Sequence, residues 1–189
     1  MIKINYLFQL NYLENTFERK DISSLDYGCG SGEFIYYANT NGYNFIGVDN
    51  YYEGSNIEEY NLSPSKVNIF VLSKNGEIPF PDKTFDYICS DQVFEHIQNL
   101  DLVLFELNRV LKENGRMLHI FPFIDYVKEG HYGIPFFHWF HSDTILRKVL
   151  TFGMYRIGFG FHRRKGKPFK QWYREASNFI DNSCFYRTK

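Results

Sequence analysis

The chain has 189 residues, 44% of them hydrophobic, which suffices for one domain with a sizeable core. Its 21 basic and 22 acidic residues leave a formal charge of -1, so composition gives no general attraction to nucleic acid or to an anionic membrane. Cys29, Cys89 and Cys184 are odd in number and form no CxxC pair, which argues against a disulfide framework or zinc knuckle and fits a reducing, cytoplasmic compartment. No basic stretch followed by an apolar core opens the chain, and no apolar run is long enough to span a membrane.

Leu7, Leu10, Leu13 and Phe17 recur at helical spacing, so residues 5–19 are predicted to form an amphipathic N-terminal helix. Ile22 to Tyr27 is a short apolar strand that ends at a glycine cluster, and Gly32 to Asn39 is a helix. Further strands are expected at Asn44–Val48, closed by Asp49, and at Val67–Leu72 and Phe85–Cys89. The clearest helix is 100–112, with Leu100, Leu104, Leu107 and Leu111 as its stripe, Asn99 as its cap and Asn114-Gly115 as its stop. Met117 to Phe121 is a fifth strand, stopped by Pro122. This alternation predicts an α/β, mostly parallel sheet with helices on both faces. Beyond Pro122, residues 122–141 read as a structured insertion, 142–150 and 168–181 as helices, and Met154–Phe161 as a strand.

The run Leu25-Asp26-Tyr27-Gly28-Cys29-Gly30-Ser31-Gly32 links the first strand to a helix. Glycines there allow a tight turn and close approach of a ligand, and the helix start offers free N–H groups. A dinucleotide site wants G-x-G-x-x-G. Here the third glycine falls one residue early and Glu33 stands where the pattern needs it, which suits a pyrophosphate poorly. Asp26 suits a cationic ligand better. Asp49, after the second strand, can accept hydrogen bonds from both hydroxyls of a ribose.

Four segments in order resemble a class I S-adenosylmethionine (SAM)-dependent methyltransferase: LDYGCGSG at 25–32, GVDN at 47–50, EIPFPDKTFDYICSDQVFEHI at 77–97 and ELNRVLKENGRMLHIFP at 106–122. The resemblance implies a Rossmann-like fold with SAM as cofactor. Asp26, Gly28, Cys29, Gly30 and Gly32 would form the cofactor turn, Asp49 would hold the ribose, and Asn50 would lie beside the adenosine. Ser90, Asp91 and Gln92 would contact the methionine part and the methyl, while Glu95-His96 matches a frequent Glu-His pair and takes a structural role. Where relatives carry an acid that meets the adenine amine, this chain has Lys74 or Asn75, and Asn75 or a backbone carbonyl is the expected substitute. A class I sheet also has two further strands. The sequence offers Met154–Phe161 for one and nothing convincing for the other, so the last strand or strands are expected to be lacking.

Residues 129–140, Glu-Gly-His-Tyr-Gly-Ile-Pro-Phe-Phe-His-Trp-Phe, resemble an insertion of methyltransferases that modify surface polysaccharides and sugars, and are read as a substrate cover within a single domain. An alcohol acceptor calls for a base. His131, then His138, are the candidates, with His141 also in the 122–141 insertion, and Asp91 could instead orient the acceptor. The histidine spacing invites a metal, but no accompanying ligand pattern supports one, so none is expected. Arg163, Arg164, Lys165, Lys167, Lys170 and Arg174 form a basic run with aromatics. A solvated surface is its first reading, a small anionic substrate comes next, and nucleic acid is not expected. The sequence and its resemblances thus predict methylation of a hydroxyl, or an amine or phosphate-linked group, of a small-molecule or glycan-precursor substrate in surface-polysaccharide biosynthesis. The alternatives are a lipid-like or quinone-like acceptor, a non-catalytic SAM-binding module, or, disfavoured by the glycine spacing, a nicotinamide enzyme. No oligomeric state follows.

Overall fold

The computed structural model describes residues 3–50, 68–160 and 166–187. They fall into two compact units, one drawn from Met1–Phe94 with Asn99–Ile120 and the other from Glu95–Gln98 with Phe121–Lys189.

The first unit is built on a five-stranded sheet of order β3-β2-β1-β4-β5. Its strands are β1 (Ser24–Tyr27), β2 (Phe45–Asp49), β3 (Ile69–Val71), β4 (Phe85–Asp91) and β5 (Leu111–Ile120), and every pairing is parallel. β1 is central, with Leu25 in register with both Ile46 and Ile88, and all four of its residues are buried, as a strand covered on both faces requires. Helices α1 (Ile4–Thr16) and α2 (Glu33–Thr40) share one core with the sheet through Leu13, Ile22, Phe34, Ile35, Phe45 and Tyr87. Gly47 makes that packing possible: a Cβ there would lie 2.4 Å from Ile35 Cδ1 and 2.5 Å from Cys29 Sγ. Helix α3 (Leu100–Val110) packs on β5 and buries Leu107 and Val110. The strand order reverses between β1 and β4, and open α/β sheets bind ligands at the carboxyl ends of strands at such a point.

Three sequence expectations are corrected. In α1 the inward face is Tyr6, Gln9, Leu10 and Leu13, while Leu7 is 49% exposed. That face packs Tyr6, Leu10 and Leu13 into the sheet core and brings Gln9 to buried partners. Asn99 does cap α3, accepting from the Leu102 N–H at 3.4 Å, but Asn114-Gly115 does not end it. Lys83 and Thr84 donate their N–H groups to the carbonyls of Arg109 and Val110 at 2.9 and 2.7 Å, so the helix stops at Val110 without a glycine and the chain passes straight into β5. Gly115 lies within that strand. Finally, 154–156 is not strand but the last turn of helix α4 (Ile145–Arg156), and left-handed Gly158 and Gly160 follow it. Phe161 lies outside the described residues, and among the described residues the sheet has five strands.

In the second unit, Lys128 and Pro135 form an antiparallel bridge, followed by α4 and α5 (Phe169–Ser183). Tyr132, Ile134, Phe137, Trp172, Ala176, Ile180 and Cys184 make its core. Arg147, 1% exposed, lies 4.0 Å over the Phe137 ring and pairs with Asp181 at 2.6 Å. Of the basic run, Lys167 pairs with Glu175, while Arg163, Arg164 and Lys165 lie outside the described residues.

Candidate active site

A cavity of 950 Å³ opens in the first unit at the ends of β1 and β4. Asp26, Gly28, Cys29, Gly30, Ser90, Asp91 and Gln92 all line it, so most of the residues singled out in the sequence converge on one place. Gly28, Gly30 and Gly32 have φ of 74°, 52° and 74°, the left-handed region that favours glycine. Gly28 is doubly constrained, because a Cβ would stand 2.5 Å from Val93 Cγ2. Gly32 caps α2, whose free N–H groups follow it.

Charge on the cavity is mainly acidic. Asp26 is 5% exposed, and burial, reinforced by Asp91 and Asp49, pushes its carboxyl up to about 8. Burial also raises Asp91, against the hydrogen bond from Asn5 Nδ2 at 2.7 Å. Glu33 is tied to Lys3 Nζ at 2.6 Å and to the Tyr6 hydroxyl at 3.0 Å. Three carboxyl groups against one lysine suit a ligand that carries positive charge.

Other expected residues lie beside the cavity. Asp49 accepts the Gly30 N–H at 2.6 Å, which fixes the turn against the end of β2; burial raises its carboxyl and that bond lowers it. Asn50 follows it, exposed. Asn75 sits in an exposed turn, its N–H directed at Ser73 Oγ at 3.3 Å, and is not among the cavity-lining residues. Gln92 adopts φ 58°, an unusual conformation for a residue with a side chain, and its N–H donates to Ile120 O at 2.7 Å.

Sequence reasoning missed the contribution of α1. Lys3, Asn5, Tyr6 and Gln9 line the same cavity. Gln9, 1% exposed, donates to the carbonyls of Ser90 at 3.2 Å and Leu118 at 3.4 Å, and accepts from the Tyr87 hydroxyl at 2.5 Å. Asn5 and Gln9, one turn apart, were the available signal. His119 was missed as well. Its Nδ1 is 2.8 Å from Ser90 Oγ, Phe94 stacks on it at 4.1 Å, and burial pushes its pKa down to about 4.

The histidines expected to act as bases belong to the second unit. His131 Nδ1 is 2.7 Å from Glu129 Oε1. His138 Nε2 is 3.0 Å from Ile124 O, and burial lowers its pKa. His141 is exposed, 3.4 Å from Asp143.

The parallel sheet, the glycine turn and the acid-lined cavity define an α/β domain of the cofactor-binding class. A family model described as a methyltransferase domain matches residues 25–119, half of the chain, and the chain belongs to that family. It is 32% identical over 111 residues to an uncharacterised protein of Methanocaldococcus jannaschii, covering 58% of this chain and 45% of that one. It is 28% identical over 98 residues to the ubiquinone biosynthesis O-methyltransferase of Pelagibacter ubique, covering 52% and 41%. A SAM-dependent methyltransferase from Aquifex aeolicus superposes with a TM-score of 0.51 at 25% identity, covering 64% of this chain and 67% of that one. The chain spans less than half the length of these two curated relatives. Family and fold identify a class I methyltransferase domain with SAM as its cofactor. The cavity fits that group: the start of α2 offers helix N-terminal N–H groups to a carboxylate, and buried acids suit an ammonium beside a sulfonium. Among the described residues, no helix is long and apolar enough to cross a membrane.

Proposed function

We propose that this chain transfers a methyl group from SAM to a hydroxyl of a small molecule, with a sugar or glycan precursor as the first acceptor class. The observation that supports the methyl-donor half is the acid-lined cavity where the strand order reverses. SAM supplies a methyl group on a positive sulfur, which is already a good leaving group. The chain's task is therefore mainly alignment. In the proposed site, Asp26 holds the ammonium, the turn at Gly28–Gly32 receives the carboxylate, and Asp49 and Asn50 take the ribose and adenosine side, with Asn75 an adenine contact. Ser90 and Gln92 complete the methionine side. Asp91, held by Asn5, orients the acceptor hydroxyl. SAM, when bound, would supply the methyl group and the leaving sulfur, and the proton of the acceptor hydroxyl would pass to a base of this chain. His131 and His138 are the proposed bases.

A second reading, a lipid-like or quinone-like acceptor, is favoured by the likeness to the ubiquinone biosynthesis O-methyltransferase. The test is calorimetric titration with S-adenosylhomocysteine, with NADH as control. Saturable binding of the former alone, weakened at least tenfold in Asp49→Ala, supports the cofactor site. Binding of NADH alone overturns it. Labelled SAM offered with sugars, nucleotide sugars and quinols then separates the two acceptor classes, and binding without transfer to any of them favours a non-catalytic module.

A further inference from the structure

We propose that His96, His131 and Cys184 form a structural zinc site in the second unit. The three residues are far apart in sequence, yet one ligand atom from each lies within 4.8 Å of the others. The ring protons give the sharper argument. His96 Nδ1 is 2.7 Å from Ser183 O, and a carbonyl oxygen can only accept, so Nδ1 carries the proton. His131 Nδ1 is 2.7 Å from Glu129 Oε1. That carboxylate also accepts the N–H groups of His131 and Tyr132 and the Tyr186 hydroxyl, at 2.8, 2.6 and 2.7 Å, so it too acts as an acceptor toward the ring. In the neutral form of both rings the lone pairs lie on Nε2, and the two Nε2 atoms face each other at 3.2 Å. Two lone pairs at that distance repel unless a cation lies against both.

The surroundings specify which cation. Two Zn–N bonds of about 2.0–2.1 Å at a tetrahedral angle place their nitrogens about 3.3 Å apart, close to the separation seen. Cys184 is buried, and its Sγ, 4.0 Å from Nδ1 of each ring, has to turn toward the Nε2 edge to join the two nitrogens, while Glu95 Oε1 is 3.9 Å from His96 Nε2. Nitrogen, sulfur and a nearby carboxylate form a donor set suited to zinc rather than to magnesium or calcium. Glu129 behind His131 is the carboxylate that commonly orients a metal-bound imidazole. Such a site would clip residues 95–96, 129–131 and 184 together. It gives His131 a ligand's role and leaves His138 as the proposed base. The inference does not rest on methyl transfer, since metal binding is read without activity.

The 189-residue chain, stripped with EDTA and dialysed, is titrated with Co2+ and then with Zn2+. The expected result is one ion per chain, tetrahedral cobalt bands with a sulfur-to-cobalt charge-transfer band, and displacement by zinc that raises Tm. Cys184→Ser should lose the charge-transfer band, and Glu129→Gln, a positioning change, should weaken binding about 10–100-fold. The wild-type spectrum decides the matter even if a variant fails to fold. No binding at micromolar metal, or octahedral cobalt without the sulfur band, overturns the proposal and assigns the facing nitrogens to a shared proton.

Discussion

Asp26 carries most of the site's electrostatics at the residue scale. Its carboxyl, pushed up to about 8 by burial, is largely protonated at neutral pH and becomes anionic when a cation arrives or the pH rises. Affinity for S-adenosylhomocysteine is therefore expected to increase from pH 6 to pH 8, and Asp26→Asn should flatten that slope while weakening binding at pH 8 by at least tenfold. Calorimetry across the range checks both, and an unchanged slope in the variant would remove Asp26 from the ammonium's contacts. Asp26 and the glycines were legible because they share one turn of chain. His119 was not, since its meaning comes from Ser90, a residue on the neighbouring strand.

Helix α1 shows the corresponding limit for elements. Periodicity marked it as amphipathic, but a leucine stripe cannot reveal that the inward face also carries a glutamine. Gln9 satisfies two strand carbonyls and one tyrosine hydroxyl in the interior. Gln9→Leu keeps the volume and removes every one of those bonds, so it is expected to cost about 1–3 kcal/mol. Urea unfolding should show a lower midpoint with an unchanged slope. A neutral result would mean that water takes the amide's place. The end of α3 teaches the same lesson: the Asn-Gly signal was real in sequence, but N–H groups from the 83–84 loop reached the helix carbonyls first. Strands β1, β2 and β4 were legible because a buried parallel strand is a short apolar run whatever its neighbours.

At the scale of the molecule, buried ionisable groups set how stability varies with pH. Asp26 has a folded pKa of about 8 against an ordinary 3.8, so the folded chain holds an extra proton between those values and this contribution is lost progressively as pH rises from 3.8 to 8. His119 has a folded pKa of about 4 against an ordinary 6.5, so stability is lost as pH falls from 6.5 toward 4. Glu33 and Glu106, held down by Lys3 and Arg109, add to the loss on the acid side. Asp26 and His119 offset each other between about pH 4 and 6.5, so the ligand-free protein is expected to hold its highest Tm up to about pH 6.5 and to weaken from there to pH 8. In Asp26→Asn the decline above pH 6.5 should disappear, which thermal scans in matched buffers can show. The fold class was readable from alternating elements, and so were helices α4 and α5 of the second unit, whereas the contacts inside that unit were not, because Arg147–Asp181 and the His96–His131 contact join distant stretches with no periodic signature.

The acidic lining of the cavity also bears on turnover. A loaded methyl donor carries a positive sulfur, and its spent form does not. Carboxylates that draw in the first have less hold on the second, so exchange of spent carrier for fresh should run downhill, with a preference that narrows as added salt screens the field.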